Sequence, residues 1–106
     1  KRSEKMAVEL YGDMKGKDRT SDSIVEIVPA ASVGRVDCLF IPRGVSIWGR
    51  FDPDTGDVQM YLDQPPGSQD LLDLAAYHTL ANSGRVFLLE PDDMPDATPA
   101  AAILRY

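Results

Sequence analysis

The run Val36-Asp37-Cys38-Leu39-Phe40-Ile41 carries a single charge and is closed by Pro42-Arg43-Gly44. It is too short for an ordinary helix and lacks the polar alternation of a half-solvated strand. The run therefore reads as a strand buried on both faces. Such a strand needs one layer of structure above it and another below. Val86-Phe87-Leu88-Leu89 is a second run of this kind, and residues 100–106 read as a third, with Ala100-Ala101-Ala102 small enough to pass close beneath helices. Ile103 and Leu104 would fill the two faces of that last strand, so the strand is expected in the sheet interior, and Arg105 is expected to reach solvent or a surface acid.

The covering layers are legible as helices. Met6, Leu10 and Met14 fall four apart beside Ala7 and Tyr11, which predicts a helix over residues 4–15 with Ser3 as its cap and Gly16 as its stop. Residues 22–33 carry Ile24, Ile27, Val28 and Ala31 at helical spacing, entered through Thr20-Ser21-Asp22. Pro29, which removes a backbone donor and crowds the preceding turn, leaves a kinked helix or a short strand followed by one turn from Pro29, and the apolar spacing of 3 and 4 favours the kinked helix. Gly34 ends it. The densest helical pattern, Leu71, Leu72, Leu74, Ala75, Ala76, Leu80 and Ala81, predicts a helix over residues 69–82, capped by Ser68 and stopped by Gly84.

Between the buried runs lies a hairpin. Residues 45–51 alternate, Asp52-Pro53-Asp54-Thr55-Gly56-Asp57 is dense in turn formers, and Val58, Met60 and Leu62 alternate after it. Residues 90–99, acidic and carrying three prolines, read as a loop. The expected order is α, α, β, β, β, α, β, β. That order predicts an α/β fold with a mixed sheet covered by helices, in one domain of 106 residues. The chain starts in mid-pattern on Lys1, as expected for a domain taken from a longer protein.

The chemistry suggested by the residues is binding, not catalysis. Net charge is −6, from 17 acidic and 11 basic residues. A nucleic-acid partner normally calls for the opposite balance, because lysines and arginines must replace counterions along the phosphates. Lys1, Arg2, Lys5, Lys15, Lys17 and Arg19 form the one basic cluster. No stretch of about 18 apolar residues exists, so no membrane-spanning helix is expected. Cys38 is the single cysteine and lies in an apolar run, as a core thiol in a reducing compartment would.

No metal site, cofactor site or catalytic residue is expected. Asp52, Asp54 and Asp57 resemble the head of a calcium loop, but the glycine stands one place early and the flanks are strands. One histidine, His78, and one cysteine cannot make a zinc centre. The eight glycines form no phosphate-cradling motif. Two candidate partner-binding features remain. Trp48 and Arg50 share one face of an amphipathic strand and belong to the types richest in binding energy. The alternative for Trp48 is packing under the first helix. Asp92 and Asp93, in the acidic run with Glu90 and Asp96, could meet a basic partner or simply be solvated.

The step Gly34-Arg35-Val36-Asp37-Cys38-Leu39-Phe40-Ile41 after Ala30-Ala31, and the ending Ala102-Ile103-Leu104-Arg105-Tyr106, resemble the last domain of class-I peptide release factors of eukaryotes and archaea. Residues 70–95 are similar to bacterial relatives of that superfamily. The resemblance implies a three-layer α/β/α sandwich similar to the ribosomal proteins that bind kink-turn RNA. It further implies the C-terminal, third domain of a longer bacterial protein, which docks a translational GTPase or the ribosome in the cytoplasm while catalysis resides in another domain. Two departures stand out: Thr98-Pro99-Ala100-Ala101 replaces a glycine-rich lead-in, and the turn near Thr20–Ser23 has no glycine of the RNA-binding kind.

Overall fold

The computed structural model describes residues 2–106, with Lys1 and the side chain of Arg2 outside the description. The elements are α1 (Arg2–Lys15), β1 (Thr20–Ser21), α2 (Ile24–Ser32), β2 (Val36–Pro42), β3 (Trp48–Phe51), β4 (Val58–Met60), β5 (Gln69–Asp70), α3 (Leu71–Ala81), β6 (Arg85–Leu89) and β7 (Ala101–Leu104). The strands form two sheets, not one. The larger runs β1-β7-β2-β6, with β2 and β6 parallel and β7 antiparallel to both β2 and β1. The smaller, β4-β3-β5, is antiparallel throughout.

The apolar runs occupy the centre, as their composition dictates. All of β7 is buried, and β2 is buried except at Asp37. Alternation along β2 sends Val36, Leu39 and Ile41 to one side and Cys38 and Phe40 to the other, with a shift of register between Val36 and Cys38. On the first side, Ile24, Ile27, Val28 and Ala31 of α2 and Leu71, Leu72 and Ala75 of α3 complete the core. On the second, Ala7 and Tyr11 of α1 close over Phe40, whose ring meets Tyr11 edge-on at 5.9 Å and stacks on Phe87 at 5.6 Å. The result is a three-layer α/β/α sandwich.

Several local expectations are corrected. The buried face of α1 is the Ala7–Tyr11 side, while Met6 and Leu10 are exposed, because small Ala7 lets the helix lie close on the sheet. Ser3 lies inside α1 and does not cap it. Asp70, not Ser68, caps α3; its carboxylate accepts from Leu72 N at 3.0 Å and from Ile47 N at 3.2 Å. Helix α2 spans Ile24–Ser32 with Pro29 inside it, which bears out the helical reading of this segment over a strand. Thr20–Ser21, expected to be cap residues, instead form the edge strand β1 beside β7.

Arg105 is the largest surprise. It does not reach solvent or an acid: its guanidinium donates to Gly34 O at 3.0 Å and Asn82 O at 2.9 Å, just past the ends of α2 and α3. A cation there complements the negative ends of both helix dipoles. Arg19 donates to Leu104 O at 3.1 Å and also to Arg105 O, and Arg35 donates to Tyr106 O at 2.9 Å while lying over its ring. Arg105 thus ties the end of β7 to the ends of α2 and α3, and Arg19 and Arg35 hold the carbonyls around it.

Candidate partner-binding surface

The small sheet has one face for the core and one for solvent. Gly49 and Phe51 face inward: Gly49 is buried, and Phe51 packs with Ile47 and Val58 on the α2/α3 core. A side chain at Gly49 would run into the backbone carbonyl of Gln59 on β4 and stand 2.7 Å from a methyl of Leu71, so only glycine lets β3 lie this close to β4. Alternation then turns Trp48 and Arg50 outward together.

Cross-strand pairing assembles the rest of the outer face. Arg50 pairs with Gln59, and Tyr61 N donates to Trp48 O at 2.8 Å, placing Gln59 and Tyr61 beside Arg50 and Trp48. The Tyr61 hydroxyl donates to Gln59 Oε1 at 3.0 Å. Arg50 reaches the loop carbonyl of Pro66 at 3.3 Å, next to Gly67, whose φ of 82° belongs to the left-handed region. Among the described residues Arg50 makes no ion pair. An open groove of about 480 Å³ runs past Arg50, Asp57, Gln59 and Gln69, and Met60 and Leu62 stand exposed at its strand. Trp48 is half-buried and joins neither core cluster, and α1 lies across the main sheet from it, so packing under the first helix is not its role.

The acidic loop is elsewhere. Residues 90–99 form two short 3₁₀ turns, with Met94 buried on the α1 side. Arg43 donates to Glu90 at 2.9 Å and Lys15 to Asp96 at 2.6 Å, so those two acids hold the protein's own surface. Asp92 and Asp93 are exposed and, among the described residues, unpaired. They and the Trp48–Arg50 face lie on opposite sides of the main sheet and do not form one site.

The remaining candidates have structural surroundings. The Asp52–Asp57 stretch closes a hairpin: Asp54 N donates to Asp52 Oδ1 at 2.9 Å, Gly56 N to Asp52 O at 2.8 Å, and Gly56 has φ 81°. No group of three or more potential metal-ligating side chains occurs among the described residues. His78 is half-buried with its ring against Phe51 at 6.3 Å and Tyr77 at 5.2 Å. Cys38 is fully buried; burial pushes its thiol up, partly opposed by Arg85, which donates to Sγ at 3.3 Å.

Compared with solved structures, the chain superposes on the C-terminal domain of a peptide chain release factor from Methanosarcina mazei with a TM-score of 0.71. The match covers 99% of this chain and 82% of that one, at 15% sequence identity. This chain has the fold of a release-factor C-terminal domain. No protein-family model matches it, and no curated protein matches its sequence. No helix among the described residues is long and apolar enough to cross a membrane.

Proposed function

We propose that this release-factor-like domain is a non-catalytic protein-interaction module of a bacterial, translation-associated protein, in which it forms the C-terminal domain. Its partner in the cytoplasm is a translational GTPase or the ribosome, and it docks through the outer face of the small sheet. The observation that carries the proposal is that face: Trp48 and an unpaired Arg50, flanked by Gln59 and Tyr61, on a sheet whose other face is fixed to the core. Tryptophan, tyrosine and arginine are the side chains most often responsible for binding energy. Asp92 and Asp93 would offer a second, charge-steered contact.

Direct RNA binding is the weaker reading. Of the basic cluster near the N-terminal end, Lys15 is committed to Asp96 and Arg19 to the carbonyls of Leu104 and Arg105. Together with a net charge of −6, this leaves little cation density for a phosphate backbone. Equilibrium binding to a translational GTPase and to ribosomes, with and without Trp48→Ala, tests the proposal. Saturable binding that the substitution weakens supports it. Tight RNA binding that falls steeply with salt, unaffected by Trp48→Ala, would replace it with the RNA reading.

A further inference from the structure

Strand β6 ends the main sheet, and its sequence Arg85-Val86-Phe87-Leu88-Leu89 has neither proline nor acidic residues to discourage pairing. Arg43 N donates to Leu89 O at 2.7 Å, which fixes the odd-numbered residues of β6 as those bonded to β2. The alternation of a parallel ladder then directs the N–H and C=O of Val86 and Leu88 to the open edge. An antiparallel strand registered on these two residues would make four backbone hydrogen bonds.

Both sides of this edge are apolar. On the α2/α3 side, Leu88 is 40% exposed. On the other, Met6 at 61% and Leu10 at 37% line a groove of about 420 Å³ between α1 and Arg85. The exposed carboxylates Glu9 and Asp13 border that groove and make no ion pair among the described residues. Arg85, the one cation lining it among the described residues, is turned to Cys38 Sγ at 3.3 Å and over the Phe87 ring at 5.7 Å.

We propose that the β6 edge is a second docking surface, which takes an extended segment of a partner protein by strand addition. The segment alternates apolar residues, some entering the Met6–Leu10 groove and others covering Leu88, and places a lysine or arginine against Glu9 and Asp13. A second copy of this chain is disfavoured as the occupant, since pairing would bring two chains of net charge −6 edge to edge. The proposal is independent of the Trp48–Arg50 face.

The test uses a synthetic peptide alternating valine and threonine between terminal lysines, with a glutamate-terminated peptide as control. The basic peptide should bind, and the amides of Val86 and Leu88 should gain protection from hydrogen exchange. Leu88→Pro removes an edge donor that β2 does not use, so the chain should still melt cooperatively while affinity falls at least about tenfold. If that variant unfolds, Glu9→Lys with Asp13→Lys, on the exposed helix surface, makes the same distinction: the basic peptide should weaken and the acidic one strengthen. Equal binding of both peptides, protection outside β6, or no binding of the basic peptide at millimolar concentration overturns the proposal. So does a concentration-dependent dimer that Leu88→Pro dissolves, which would assign the edge to a second copy.

Discussion

The two sheets differ in how many of their faces are buried. In the main sheet, β7 is wholly buried between β1 and β2, and Phe40 of β2 is clamped between Tyr11 and Phe87. In the small sheet, only Gly49, Phe51 and Val58 face the core, and Trp48, Arg50 and Gln59 face outward. Substitution in a two-sided sheet disturbs two cores at once. Substitution on the outer face of a one-sided sheet disturbs neither. A domain arranged this way can vary the outer face of its small sheet without jeopardising its fold.

The strongest way to break the comparison is deletion of Ile103 to Tyr106. It would cut into the strand between β1 and β2, remove two buried side chains and release the Arg105 clamp. Large-to-small changes at such positions cost about 2–5 kcal/mol each, against a typical stability of about 5–15 kcal/mol. Thermal melting should show no cooperative transition. Survival of one sharp transition would mean that β7 is dispensable and the two-sided description wrong.

Phe40→Ala probes the main sheet at a single point. It should cost about 3–5 kcal/mol in chemical denaturation, since it empties the contact among three rings. Arg105→Ala should cost about 1.5–3 kcal/mol through loss of two charge-assisted bonds to the ends of α2 and α3. A change below about 0.5 kcal/mol would return Arg105 to the surface role its sequence position suggests.

Gly49→Ala sharpens the comparison from the other side. Its added carbon meets the Gln59 carbonyl of the paired strand, so β3 and β4 must shift apart, at about 1–3 kcal/mol. Hydrogen exchange should quicken in β3 and β4 while the amides of β2 and β7 stay protected. Equal loss of protection in both sheets would show that they open as one unit.

How far the sequence was legible follows the same division. Strands β2, β6 and β7 and helix α3 are readable because continuous apolar runs and dense helical spacing have few alternative structures. The hairpin was readable as a hairpin, but an amphipathic strand looks the same at the edge of one sheet as in a sheet of its own. The pairing of β3 with β4 and β5, and with no strand of the main sheet, has no signature in periodicity. Strands β1 and β5 have two residues each, too few to show a period. Along α1 two apolar stripes competed, and the sheet selected the one containing Ala7. Trp48 and Arg50 were readable as neighbours on one face; Gln59 and Tyr61 joined them only through cross-strand register.

The proposed docking through the small sheet requires that its outer face add affinity and little stability. The direct measurement is equilibrium binding of the labelled chain to a translational GTPase and to ribosomes, for the unsubstituted protein and for Trp48→Ala with Arg50→Ala, with denaturation of both proteins alongside. The double substitution should change stability by about 1 kcal/mol or less, while affinity for the partner should fall at least about tenfold. Unchanged affinity with intact folding would contradict it and move the docking surface elsewhere on the domain.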